Sequence, residues 1–189
     1  MTVDFDALVK LAKPEPLDRK KHDRAAFTCG DERLDRYLKE KAASLADTDQ
    51  VKVYVVCEAG STAIVGYFGI CAHAVQLSEL PDEIKSKLAK YREVSAILLS
   101  MMAVATPHQD KGIGTYLLTE VLMLALKISD QLGARFLVLD ALTERAKRLY
   151  AKFGFIELPG IPNRMIFDLN TARKAIGKAA VPATPLKSP

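Results

Sequence analysis

The first chemical signal in the chain is a glutamine and two glycines at fixed spacing, Gln109-x-x-Gly112-x-Gly114. Ahead of them, residues 95–105 form a run of small and branched apolar residues that reads as a buried strand. Thr106, Pro107 and Asp110 break that run, and a long amphipathic pattern starts at Gly112. The motif therefore falls at a strand-to-helix turn, where the first helical N–H groups have no partner inside the helix. Glycine lets a ligand approach the backbone closely, and the helix dipole adds partial positive charge. Together these make an anion cradle suited to a phosphate or pyrophosphate. Leu117 stands where a dinucleotide fingerprint needs its third glycine, and the P-loop spacing is absent. The plain alternative is a tight turn with no ligand.

The elements needed to hold this turn can be followed along the chain. Pro14 and Pro16 break up a polar start, with a strand or extended arm near residue 17. Gly30 or Asp31 is placed to cap a helix whose buried face is Leu34, Tyr37, Leu38, Ala42 and Leu45. Residues 51–58 and 64–72 read as two arms of an antiparallel hairpin, with Gly66 and Gly69 marking bends. A short charged helix is predicted over 81–91, and the central strand over 95–105. The helix from Gly112 runs to about Gln131 with Tyr116, Leu117, Val121, Leu124 and Ile128 as its core stripe, and Gly133 caps it. Residues 135–140 form a strand with a continuous apolar centre, residues 143–152 a short helix, and 155–158 and 164–169 the last strands. The alternation gives one α/β domain over residues 1–170, a mixed sheet with helices on both faces. A basic, proline-rich tail over 171–189, partly disordered, follows.

Composition narrows the class further. Hydrophobic residues make up 49% of the 189, enough for a globular core. Charges interrupt every apolar run well short of ~20 residues, so no membrane span is expected. The acidic start of the chain is unlike a signal peptide, which points to the cytoplasm. Cys29, Cys57 and Cys71 lack metal or disulfide spacing, so no metal site is expected and they read as buried thiols. Residues 141–189 hold nine Lys or Arg against three Asp or Glu. Such a basic portion can meet a polyanion or simply face solvent.

Two further stretches carry a family resemblance. The glycine motif resembles the pyrophosphate loop of the GNAT N-acetyltransferase superfamily, (Arg/Gln)-x-x-Gly-x-(Gly/Ala). At the right distance downstream, Leu149-Tyr150-Ala151-Lys152-Phe153-Gly154-Phe155 resembles the GNAT segment after the fifth strand. Near the start, His22-Asp23-Arg24-x-x-Phe27-x-Cys29-Gly30 followed by Leu34-Asp35-x-Tyr37-Leu38 is similar to the GNAT toxins of type II toxin–antitoxin modules. The resemblance covers roughly residues 15–170. One departure is Asp110, where the family loop often has glycine. It puts a negative charge beside the phosphate site, partly countered by Lys111.

The resemblance implies a GNAT-type, mostly antiparallel twisted sheet splayed at the central strand. It implies acetyl-CoA as co-substrate, its pantetheine arm pairing with the backbone of Met102, Ala103 and Val104. The pyrophosphate would meet the N–H groups of Asp110, Lys111, Gly112, Ile113, Gly114 and Thr115. Gln109 would steady the loop or touch a phosphate, and Phe153 would sit at the same site. The implied reaction moves acetyl from sulfur to the α-amino group of aminoacyl-tRNA and so halts translation. Tyr150 is the implied acid: a phenol of reference pKa ~10 can donate to a developing thiolate while staying protonated at rest. Aromatic packing beside Phe153 and Phe155 is the alternative for Tyr150. No general base is evident, since His22, His73 and His108 lack a catalytic setting. An α-amine of pKa ~8 tolerates this better than a lysine at ~10.4.

Arg24, Arg145 and Arg148 are the candidate tRNA contacts, with a solvated surface as the alternative for each. The implied partners are a ribbon-helix-helix antitoxin and a second copy of the chain in a homodimer. Two other functions remain open at this point: acetylation of a small amine, peptide or protein N-terminus, and a non-catalytic acyl-CoA-binding module.

Overall fold

The computed structural model describes residues 4–89 and 91–179. Seven strands form one sheet: β1 (Glu15–Pro16), β2 (Lys52–Cys57), β3 (Ile64–Gln76), β4 (Glu93–Val104), β5 (Phe136–Asp140), β6 (Ile156–Glu157) and β7 (Arg164–Asp168). Their order is β1-β2-β3-β4-β5-β7-β6. Every pairing is antiparallel except β4 with β5. That parallel step needs a crossover, supplied by α5 (Ile113–Leu132). The remaining helices are α1 (Phe5–Val9), α2 (Glu32–Arg36), α3 (Ala42–Asp47), α4 (Asp82–Lys85), α6 (Glu144–Lys152) and α7 (Leu169–Ala179). A π-helical turn, Tyr37–Lys41, joins α2 to α3.

The sheet has a packed layer on each face. On one face α5 buries Ile113, Leu117, Leu118, Val121, Ala125 and Leu126 against Phe68, Leu99, Leu137 and Leu139. On the other, the segment ahead of α2 brings Phe27, and the π turn brings Tyr37 and Leu38, onto Tyr67 and Ala103. The α5 stripe is rotated from the expected one: Leu117 and Val121 are buried, but Tyr116, Leu124 and Ile128 are only half-buried. Ile113, Leu117, Val121 and Ala125 follow one another at four-residue spacing, and packing against the sheet sets the phase of that row.

Gly66 lies beside an irregularity, where the register of β3 to β2 shifts between Val56 and Cys57, and it also permits a close approach. A Cβ there would come within 2.9 Å of Leu117 Cδ1 and 3.1 Å of the Ala103 carbonyl oxygen. Its absence lets α5 lie tight on the sheet.

Three boundaries differ from expectation. α1 forms ahead of Pro14 because Asp4 caps it, its carboxylate accepting from Ala7 N–H. The 81–91 helix shrinks to α4, a single turn. α7 runs past residue 170 to Ala179, and Arg173 Nε donates to Asp130 Oδ1 at 2.9 Å, tying α7 to α5. The proline-rich residues 180–189 lie outside the described ones. No described helix is long and apolar enough to cross a membrane.

Candidate active site

β4 carries the site because it loses a neighbour part-way along. Ala96, Ile97, Leu98 and Leu99 pair with β5, and the pairing ends there. On the other edge the register to β3 slips, so that Met101 faces Gly69 and Leu99 faces Ile70. Ser100 is the extra residue of that bulge, and its hydroxyl donates to the Gly69 carbonyl at 3.1 Å. Beyond it, β4 is paired with β3 alone. Ala105 N–H donates to Val65 O on the β3 side. Strand alternation then turns the backbone groups of Met102 and Val104 toward the open edge.

The gap between β4 and β5 opens into a cleft of 670 Å³. One wall is the loop ahead of α5. There Gly112 has φ 86° and Asp110 φ 64°, left-handed conformations that bring the loop round into the helix. Asp110, Gly112, Gly114 and Thr115 line the cleft. A Cβ on Gly114 would meet nothing nearer than Leu149 Cδ2 at 3.9 Å, so the glycine leaves room at the helix N-terminus. The Thr115 hydroxyl is buried and has no hydrogen-bond partner. A phosphate-bearing ligand would supply the acceptor it lacks. Gln109 is a strut: its Nε2 donates to Cys29 O at 2.8 Å and to Val104 O at 3.0 Å. Both amide protons are therefore spent on the protein.

The opposite wall is α6. Thr143 caps it, its hydroxyl accepting from Ala146 N–H. Along α6, Arg145, Arg148, Leu149, Tyr150 and Lys152 line the cleft. Tyr150 is buried and packs on Phe155, with ring centroids 5.7 Å apart. Desolvation pushes its phenol up to about 12. Tyr150 thus packs on the core and is also one of the residues that line the cleft.

The third wall was not anticipated from the sequence. Asp31, Arg33 and Leu34 at the start of α2, with Cys29 before it, complete the cleft. Asp35 fixes this corner by accepting from Thr28 Oγ1 and Cys29 N–H, both at 2.8 Å. Burial pushes the Cys29 thiol up to about 11, so it is an inert wall rather than a nucleophile. Cys29 and Cys71 are half-buried and Cys57 is buried, and all three thiols are free.

The expected residues divide accordingly. Met102, Ala103, Val104, Gln109, Asp110, Gly112, Gly114, Thr115, Arg145, Arg148 and Tyr150 come together in the cleft. The Ile113 side chain turns into the core, which leaves the expectation for its backbone N–H untouched, and Phe153 packs half-buried against the same core. Lys111 ties down the chain start, its carbonyl accepting from Asp4 N–H at 3.2 Å. Arg24 lies in a separate hollow with His22, Asp23 and Lys39, and its Nη1 donates to Lys39 O at 2.8 Å. His22 is structural: buried, its Nδ1 accepts from Asp18 N–H at 3.0 Å, and Nε2 faces Glu15 at 3.2 Å. Among the described residues no cluster of three or more His, Cys, Asp or Glu is placed to hold a metal ion.

An open strand edge, a glycine-opened helix N-terminus and a cleft tyrosine agree with one family. Residues 49–157 match the family model described as "Acetyltransferase (GNAT) domain". The chain belongs to the GNAT acetyltransferase family. It is 34% identical over 170 residues to a Sinorhizobium fredii protein described as "Probable toxin TacT", covering 86% of this chain and 94% of the relative. It is 27% identical over 155 residues to the "tRNA-acetylating toxin" of Mycobacterium tuberculosis, covering 82% and 91%. Among solved structures, AtaT complexed with acetyl-methionyl-tRNAfMet superposes with a TM-score of 0.81 at 24% identity, over 88% of this chain and 99% of that one. A Tyr-to-Phe mutant of AtaT bound to acetyl-CoA and the C-terminus of the antitoxin AtaR superposes at 0.74, with 20% identity, over 88% and 98%. At these identities the two structures speak for the fold.

Proposed function

We propose that this GNAT protein transfers the acetyl group of acetyl-CoA to the α-amino group of aminoacyl-tRNA and acts as a translation-inhibiting toxin. One observation carries the catalytic part: the buried Tyr150 lines the same cleft as the open edge of β4. The tRNA acceptor is supported by the relative named as a tRNA-acetylating toxin, aligned over most of both chains.

Each wall has its own task in this reading. Met102 and Val104 offer backbone donors and acceptors to an extended arm, as an added strand would use them. Gly112, Gly114 and Thr115 hold the pyrophosphate at the start of α5. Acetyl-CoA supplies an activated acyl thioester as substrate. In the transfer a C–N bond forms, the C–S bond breaks, the amine loses a proton and the thiolate gains one. Tyr150 stands beside that thiolate. A phenol at about 12 is protonated throughout the physiological range. A thiol at ~8.5 is the stronger acid of the two. Tyr150 therefore acts chiefly by donating a hydrogen bond to the developing charge, and solvent completes the proton transfer.

Arg148 and Lys152 stand at the cleft on the Tyr150 helix and are suited to acceptor-stem phosphates. Arg24 is already engaged by Lys39 O and would contribute only through a second, outlying contact. An antitoxin whose C-terminus covers this cleft is the expected protein partner, of ribbon-helix-helix type. A homodimer and a cytoplasmic location belong to the same proposal.

The test is acetyl transfer from labelled acetyl-CoA to a pool of charged tRNA, with free amino acids and a lysine peptide as parallel acceptors. Label on aminoacyl-tRNA, released as N-acetylated amino acid, is the expected result. Label on the peptide or free amines alone would overturn the tRNA assignment and leave an acetyltransferase of small amines.

A further inference from the structure

Asp110 and Arg145 face each other across the mouth of the cleft. Asp110 belongs to the loop ahead of α5, Arg145 to the first turn of α6, and an ion pair joins them. They come from the two walls that the splay of β4 and β5 separates. Asp110 also holds the left-handed conformation that glycine adopts most easily, with φ 64°. Asp and Asn are among the few other residues that tolerate it. Something favours a carboxylate there over the glycine the turn would accept.

Stability is not the reason. The two side chains are 74% and 66% exposed, and such pairs add little. Position of charge is the better account. Asp110 lines the cleft together with Gly112, Gly114 and Thr115, the residues at the start of α5 where an anion would bind. It also draws a guanidinium to that place. Of the other cleft-lining basic residues, Arg33 pairs with Asp31, and Arg148 and Lys152 lie further along α6. Arg145 is the cleft cation held against the phosphate loop. Its fork of donors matches a phosphate as well as a carboxylate.

We propose that Asp110 is an internal stand-in for a phosphate of acetyl-CoA, and that Arg145 exchanges one for the other when the donor substrate binds. Arg145 is then a donor-substrate ligand, not a tRNA contact. Asp110 is the residue that positions it and competes for it. Both side chains reach solvent, so the exchange needs only a rotamer change and the release of Asp110 to water. The inference rests on the acetyl-CoA reading above, and is independent of what the acceptor is.

Calorimetric titration of the full chain tests it, with acetyl-CoA in one arm and S-acetylpantetheine, which carries no phosphate, in the other. Arg145→Ala is expected to weaken acetyl-CoA about tenfold, the range for a hydrogen bond to a charged group. S-acetylpantetheine binding should stay within about twofold, because that ligand offers Arg145 no phosphate. Asp110→Asn keeps the turn, since Asn also tolerates the left-handed conformation, and is expected to tighten acetyl-CoA about threefold by removing the competitor. Unchanged acetyl-CoA affinity in Arg145→Ala, or weaker binding in Asp110→Asn, would overturn the exchange while leaving the donor site intact. Equal losses for both ligands in Arg145→Ala would overturn it too, by showing that Arg145 shapes the cleft. No binding of acetyl-CoA by the unaltered chain would overturn the donor-site reading, and the exchange with it.

Discussion

From Ala96 to Leu99, β4 has a strand on each edge; from Met101 to Val104 it has β3 alone. Both stretches are apolar, and both pack side chains into the layers above and below. The difference lies in the backbone. The paired stretch spends its N–H and C=O groups on neighbours and holds the sheet together. The open stretch keeps those of Met102 and Val104 for something else, with the Val104 carbonyl partly satisfied by Gln109. Buried backbone groups left without partners are costly, so an open edge in mid-sheet is a place built for an extended ligand. The bulge at Ser100 marks the boundary between the two uses.

The largest effect expected from this comparison lies in the paired stretch. Leu137 on β5 is fully buried and faces Ile97 across the parallel ladder. Leu137→Ala should cost about 2–5 kcal/mol of stability through lost burial and a cavity. Thermal unfolding should shift down by many degrees, while the protein that remains folded turns over at its usual rate. A loss of turnover with no loss of stability would mean that the two stretches of β4 do not divide their roles this way.

Tyr150→Phe should do the reverse. It keeps the ring on Phe155 and removes only the hydroxyl. Removing one donor to a developing charge costs on the order of 100-fold in kcat. Melting temperature and acetyl-CoA affinity should be nearly unchanged. An unaltered kcat would reduce Tyr150 to a packing residue and leave the cleft without a thiolate donor.

Gln109→Ala should have a smaller effect than either. It deletes the bonds to Cys29 O and Val104 O, which join the phosphate loop, the open edge and the α2 corner. Two hydrogen bonds of this kind contribute about 1–2 kcal/mol. KM for acetyl-CoA should rise and kcat stay within a small factor, read from initial rates at varied acetyl-CoA. A kcat effect as large as that of Tyr150→Phe would show Gln109 to be part of the chemistry rather than a strut.

How legible this was from the sequence depended on whether the determinant was local. The glycine loop, α5 with its Gly133 cap, β5 and the Thr143-capped α6 all announce themselves within a few residues. The place where β4 parts from β5 does not. It depends on a register slip opposite Gly69, and a period-two pattern reads the same on both sides of it. The α2 wall was missed for a similar reason: Cys29, Arg33 and Leu34 reach the cleft through long-range ties, Gln109 to Cys29 O, Thr106 to Thr28 O and Tyr67 to Leu34 O. Phe153 is expected at the site through the family resemblance; in the structure it is half-buried against the core at the end of α6. Arg24 matched its motif and still fell outside the cleft, because its guanidinium holds the Lys39 carbonyl.

The smallest effect is a pH dependence, and it separates the two walls by their protons. No described histidine lies among the cleft-lining residues, and the carboxylates there are engaged by arginines: Asp31 by Arg33, Asp110 by Arg145 and Asp140 by Arg164. The acceptor amine is therefore expected to arrive neutral or lose its proton to water. For an α-amine of pKa ~8, the neutral fraction rises about fourfold from about pH 7.5 to 9. Tyr150, pushed up to about 12, should impose no fall over that range. The expected profile of kcat/KM therefore rises through the amine's pKa and then stays level to about pH 10. The sign of the stability linkage sets the upper limit of the assay. The folded chain holds the Tyr150 proton more tightly than the unfolded chain, about 12 against ~10, so its contribution is intact below pH 10 and is lost as pH climbs from 10 towards 12. A fall in kcat/KM already between about pH 8 and 9.5 would show that the essential acid is a weaker proton-holder than a desolvated phenol. Because Tyr150→Phe should lower the level of this curve without changing its shape, the pair of profiles tests whether the α6 wall handles only the thiolate while the proton of the amine leaves by solvent.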